Sequence, residues 1–112
     1  MKRCGSVIML RSEKLQEYVR LHAAVWPDVL QVIKECHIQN YSIYLRKLAD
    51  GTNYLFSYFE YTGVDFAADM AKLAADPATQ KWWAVCKPCH EPLADRTPDA
   101  WWADMDEVFH LD

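Results

Sequence analysis

Ile38-Gln39-Asn40-Tyr41-Ser42-Ile43-Tyr44-Leu45, then Ala49-Asp50-Gly51-Thr52-Asn53, then Tyr54-Leu55-Phe56-Ser57-Tyr58-Phe59-Glu60-Tyr61 follow one another mid-chain, and their order decides the fold. The first run alternates, with Tyr41, Ile43 and Leu45 on one face and Ser42, Tyr44 and Arg46 on the other, as in a half-buried strand. Asp50-Gly51 supplies turn chemistry, and the aromatic-rich third run pairs back as the other arm of an antiparallel hairpin.

Upstream, Lys2 to Leu10 reads as a first strand, and Ser12 with Glu13 as a helix start. Helical periodicity then runs from Glu13 to about Cys36. Pro27 interrupts it, so a kink is expected at Trp26-Pro27, or a second short helix with Pro27 in its first turn. Downstream, Asp65 to Ala75 reads as helix, Asp76-Pro77 restarts it, and Ala78 to Cys86 continues it. Met105 to Leu111 reads as a last strand after a proline-marked loop. Strand, helix, strand, strand, helix, strand is the α+β, ferredoxin-like split βαβ order: a four-stranded antiparallel sheet with helices on one face, in a single domain over 1–112. The other sheet face is apolar and uncovered, so a homodimer of the dimeric α/β barrel type, sheet against sheet, is expected.

Composition narrows the function. With 52% hydrophobic residues the chain can build a core, and its net charge of -4 lacks the basic stripe of a nucleic-acid binder. No apolar run approaches the ~20 residues that span a bilayer, and Arg11, Glu13 and Lys14 end the first apolar run too early for a signal peptide, so a cytoplasmic location is expected with no nucleic acid or membrane partner. Cys86-Lys87-Pro88-Cys89-His90 fits the C-x-x-C-H pattern of c-type haem attachment and half of a zinc site. The missing export signal argues against haem, and Cys4 and Cys36 lie too far apart to supply the second zinc pair, so incidental reduced thiols are the expectation.

Tyr18, His22 and Trp26 recur every four residues and share a face with Leu15, Leu21, Val25 and Val29. A titratable ring thus points inward between two aromatics. Its unperturbed pKa, about 6.5, suits proton transfer near neutrality, although a histidine on an apolar stripe is often only a core residue. Tyr41 on the second strand and Trp82-Trp83 on the last helix complete a candidate site: an acid or base, hydroxyls to orient hydroxyls, and indole faces to stack on sugar C–H groups. No carboxylate pair, Ser-His-Asp order or glycine-rich phosphate loop competes with it.

Four blocks in register carry a resemblance to a known family: Glu17-Tyr18-Val19-Arg20-Leu21-His22 with Val25-Trp26-Pro27; Asn40-Tyr41-Ser42-Ile43-Tyr44-Leu45; Gln80-Lys81-Trp82-Trp83; and Glu107-Val108-Phe109-His110-Leu111. Together they resemble the L-rhamnose mutarotases over nearly the whole chain. The resemblance implies a dimeric ferredoxin-like isomerase that interconverts the α and β anomers of L-rhamnose by acid-base ring opening and closure, with no metal or organic cofactor. It implies His22 as the proton donor, and Tyr18, Tyr41, Trp82 and Trp83 as sugar contacts. The stretch from Cys89 to Met105 departs from the family, and its Trp101-Trp102 pair could close over the site and select another 6-deoxy sugar such as L-fucose, or fill a core or dimer surface. Other readings of this fold are a ferredoxin-like monooxygenase or haem-binding protein, and a non-catalytic sugar-binding domain.

Overall fold

The central hairpin is present in the computed structural model, which describes residues 1–112: β2 (Ile38–Lys47) pairs antiparallel with β3 (Asn53–Tyr61). Gly51 takes the left-handed turn position at φ 81°, and Asp50 Oδ1 accepts the Thr52 N–H at 2.9 Å. β3 also pairs antiparallel along all of β1 (Lys2–Leu10), with Lys2 opposite Tyr61 and Leu10 opposite Asn53. The first two strands therefore run parallel on either side of β3, the split βαβ arrangement expected from the order of elements.

A register shift divides β2. Gln39 faces Glu60 and Ser42 faces Tyr58, so two residues, Asn40 and Tyr41, oppose the single residue Phe59. Asn40 accommodates this β-bulge at φ 50°, a left-handed conformation that asparagine tolerates better than most residues. The extra residue resets the alternation, so even-numbered Ile38 and odd-numbered Tyr41 and Ile43 all line one cavity against the helices. Without it, Tyr41 would point away from the helices whenever Ile38 pointed toward them.

The long helical segment is divided. A 3-10 turn (Ser12–Lys14) leads into α1 (Leu15–His22), and α2 (Pro27–Glu35) begins with Pro27 at its first position, the second of the two expected outcomes. Trp26, extended at φ -60° and ψ 133° as a residue before proline tends to be, caps α2. Tyr18 and His22 therefore share a helix, whereas Trp26 does not. Ser12 makes no side-chain cap, contrary to expectation, because the chain enters through the 3-10 turn. α3 (Phe66–Ala75) and α4 (Pro77–Cys86) start as read: Asp65 accepts the Ala68 N–H and Asp76 the Thr79 N–H.

The last strand is the main departure. Instead of Met105 to Leu111, two short pieces, β4 (His90–Glu91) and β5 (Ala103–Met105), pair antiparallel with β1, opposite Met9–Leu10 and Gly5–Val7 respectively. Residues 106–112 form no strand, and Val108, Phe109 and Leu111 are exposed. β5 pairs only with Gly5–Val7, and beyond it the chain meets the free end of β1 through side chains alone, Arg3 Nε and Nη2 donating to the Glu107 carboxylate.

The helix-side core has two centres. Ile8, Leu10 and Leu55 from the sheet pack with Tyr18 and Cys89, while Val29 packs with Trp82 and Cys86. Fully burying each of these aliphatic side chains contributes about 2 kcal/mol. Replacing Asn40 with valine, which resists positive φ, is expected to destabilise the fold by about 1 kcal/mol in urea denaturation, whereas Asn40→Gly should be tolerated. Equal stability of the valine variant would remove the bulge as a conformational requirement.

Candidate active site

α1 ends where its histidine meets the sheet-facing aromatics. His22 Nδ1 lies 2.9 Å from the Tyr18 carbonyl oxygen; a carbonyl only accepts, so Nδ1 carries the proton and donates. In the neutral ring, Nε2 is therefore a bare acceptor. The Tyr18 and His22 rings stack at 4.0 Å between centroids, and Trp82 meets His22 edge-on at 5.2 Å. Burial lowers the His22 pKa below its ordinary 6.5, with the carbonyl hydrogen bond opposing, so the ring is neutral at pH 7.

The bulge brings Tyr41 to the same place. A cavity of about 490 Å³ is lined by His22, Val29, Tyr41, Ile43, Trp82 and Trp83, with no Asp or Glu in its wall. A second cavity, of about 680 Å³, adjoins it across Tyr41 and Trp83 and reaches Lys87, His90, Trp101 and Trp102. Both volumes lie in the range of small-molecule sites. Desolvation raises the Tyr41 phenol above its ordinary pKa of 10, and Tyr18, only 4% exposed, is shifted the same way. Both stay protonated at neutral pH and can act as hydroxyl donors, not as phenolate bases.

The structure gathers most of the sequence candidates and separates their roles. His22, Tyr41, Trp82 and Trp83 line one cavity, while Tyr18 lies behind them in the core. Trp82 is only 6% exposed and belongs largely to the Val29–Cys86 core, so Trp83 is the more open indole of the pair. Trp26 packs edge-on against Trp82 at 5.1 Å and lines neither cavity. Trp101 and Trp102 pack on the Ile8–Leu10 core, as one of the two readings had it, and line the second cavity, not the one that holds His22.

Cys89 and Cys86 serve the two core clusters, and burial pushes the Cys86 thiol up to about 12. No group of three or more His, Cys, Asp or Glu side chains converges to hold a metal ion. His90, which the sequence offered only as the end of a C-x-x-C-H pattern, sits opposite Leu10 in β4 and so faces the helices. It lies 5.1 Å from the Tyr18 ring and 5.4 Å from Trp102, and Trp101 Nε1 donates to its Nδ1 at 3.0 Å. Nothing in residue spacing announces that bond across the irregular 92–102 segment.

Burial, with lesser repulsion from His22 and Lys87, lowers the His90 pKa to about 4. A histidine depressed in the fold contributes stability that is full above its unfolded value and is lost as pH falls toward the folded one. Thermal stability should therefore decline between about pH 6.5 and pH 4, with His22 adding in the same direction. Melting temperature of His90→Gln against pH should show a shallower decline; an unchanged slope would contradict a buried neutral His90.

A family model described as L-rhamnose mutarotase matches residues 3–111. L-rhamnose mutarotases of Oceanobacillus iheyensis and Lactiplantibacillus plantarum are each 35% identical to this chain over 112 residues, covering 100% of both sequences. That of Bacillus subtilis is 31% identical over the same length. A crystal structure of an L-rhamnose mutarotase from Formosa agariphila, 24% identical, covers 100% of both chains with a TM-score of 0.74, which supports the ferredoxin-like fold.

Proposed function

This chain belongs to the L-rhamnose mutarotase family, and from that membership we propose that it interconverts the α and β anomers of L-rhamnose in the His22 cavity. The observation that carries the reading is the neutral His22 ring held by the Tyr18 carbonyl, with Nε2 bare beside a carboxylate-free cavity of indoles and a phenol. A neutral, hydroxylated ligand suits such a wall: indole faces meet C–H groups and the Tyr41 hydroxyl orients a sugar oxygen.

The tautomer shapes the mechanism. Family resemblance makes His22 the proton donor, but Nε2 must first acquire the proton it gives. It takes that proton from the anomeric hydroxyl as the exocyclic C1–O bond becomes a carbonyl. The C1–ring oxygen bond breaks, its electron pair goes to the ring oxygen, and His22 delivers the same proton there. Rotation about C1–C2 presents the other carbonyl face, and the steps reverse. Both oxygens are bonded to C1, so one imidazole can serve both and no second base is required. Such general acid-base assistance contributes about 10²–10⁴-fold.

We further propose that the protein works as a homodimer in the cytoplasm. The sheet face away from the helices carries Val7, Met9, Tyr44, Tyr54 and Phe56 by register, an apolar surface suited to a second copy. The four cysteines are all unpaired, as fits a reducing compartment, and no helix is long and apolar enough to cross a membrane.

Anomer exchange followed by NMR should accelerate for L-rhamnose more than for L-fucose, and His22→Ala should lower kcat about 10²–10⁴-fold with the fold intact. Faster L-fucose exchange would reassign the sugar. Activity should hold through neutrality and fall on the acid side with an inflection below pH 6.5, the sign expected for a base of depressed pKa. Trp83→Ala should chiefly raise KM. In light scattering the protein should run as a dimer, and Phe56→Lys should convert it to monomer; a wild-type monomer would discard the sheet-to-sheet pairing.

A further inference from the structure

His90 Nε2 is the one buried side-chain nitrogen or oxygen in the protein without a hydrogen-bond partner. Such an orphan costs stability, because the group has lost water and gained nothing. Its tautomer is settled by a neighbour: an indole N–H can only donate, so Trp101 Nε1, 3.0 Å away, requires a lone pair on His90 Nδ1. With His90 neutral, its proton lies on Nε2, and the orphan is an N–H donor. Trp101 is itself held in place, since Lys87 Nζ lies 5.2 Å from the centroids of both the Trp101 and Trp83 rings.

The position of this donor links it to the catalytic cavity. His22 and His90 both pack on the ring of Tyr18, and the cavity that His90 lines meets the His22 cavity at Tyr41 and Trp83. The two imidazoles are fixed in opposite tautomers, His22 by a carbonyl that demands Nδ1–H and His90 by an indole that demands bare Nδ1. One Nε2 therefore accepts and the other donates. Proton delivery by His90 is ruled out by balance, because loss of Nε2–H would leave an imidazolate; a hydrogen bond is what it can give.

We propose that His90, locked by Trp101, is a further substrate-binding residue whose Nε2–H donates a hydrogen bond to an oxygen of the sugar. This rests on the mutarotase reading of the same site. The bond is made only when ligand arrives, so the cost of the empty donor becomes binding free energy and favours a ring carrying an acceptor oxygen at that point.

The test uses His90→Phe, His90→Gln and Trp101→Phe beside the wild type, each checked for folding by circular dichroism. Glutamine can place an amide N–H near the Nε2 position; phenylalanine cannot. KM for L-rhamnose should rise about 10- to 100-fold in His90→Phe with a smaller change in kcat, return most of the way in His90→Gln, and rise less in Trp101→Phe. Nitrogen-15 NMR of the histidine rings should show His90 with a bare Nδ1 and protonated Nε2, and L-rhamnose should shift the Nε2–H signal. An unchanged KM in a folded His90→Phe, or a proton on Nδ1, would overturn the proposal. Should the wild type fail to accelerate anomer exchange, the mutarotase reading falls on that result alone. The Nε2–H signal then decides separately: a shift on adding L-rhamnose upholds His90 as a sugar contact, and no shift overturns it.

Discussion

Two imidazoles packed on one buried phenol ring are hard to charge, and much of the site's chemistry follows from that. Desolvation keeps His22 and His90 neutral near pH 7, and repulsion between them reinforces it at His90. Once neutral, each ring needs its remaining proton assigned, and the protein assigns them by packing: the Tyr18 carbonyl holds one, the Trp101 indole the other. Tyr18 is the spacer on which both rings pack. Its burial at the junction of α1 with β1 and β3 ties the site to the main core cluster, so loosening Ile8, Leu10 or Leu55 would reach the His22 ring.

Where sequence determined structure locally, it was readable. Alternation exposed the hairpin, Asp-Pro marked the start of α4, and Pro27 divided the first helical segment because the chemistry of proline leaves few choices. His22, Tyr41, Trp82 and Trp83 converge as their spacing and the resemblance implied. What stayed hidden depends on contacts distant in sequence. The C-terminal run carries strand-like alternation, and only the sheet reveals that its backbone pairing with β1 stops at Met105, with Glu107 reaching Arg3 by its side chain alone. The bulge at Asn40 leaves no mark in alternation, since Tyr41, Ile43 and Leu45 look regular with or without it; the clue was that Ile38 and Tyr41 are both aromatic or aliphatic at odd separation.

His90 shows the opposite failure, where a recognisable pattern pointed to the wrong chemistry. The C-x-x-C-H motif suggests haem or zinc, yet its two thiols lie in separate core clusters and its imidazole turns toward the tyrosine. The motif is a by-product of helix termination: α4 ends at Cys86, the 3-10 turn Lys87–Cys89 carries Pro88, and His90 opens β4. The adjacent Trp82 and Trp83 both border the His22 cavity but differ in depth, Trp82 being buried in the core cluster and Trp83 more open, because neighbours on a helix point about 100° apart.

A modest catalyst is enough for this reaction, which explains why the site holds so few charges. Ring opening in water is already feasible, so the enzyme needs roughly 3–5 kcal/mol of barrier reduction, within the reach of one well-placed acid-base group. A carboxylate, with a reference pKa of about 4, is a weaker base than imidazole and takes a proton from a hydroxyl less readily near neutrality. A neutral imidazole whose other nitrogen is already engaged can take a proton and return it two bonds away, leaving the site uncharged at the start and end of each turnover. A wall that is mostly aromatic and aliphatic and free of carboxylates suits such chemistry: indole faces can meet C–H groups, and orientation is left to the few donors that the packing has fixed.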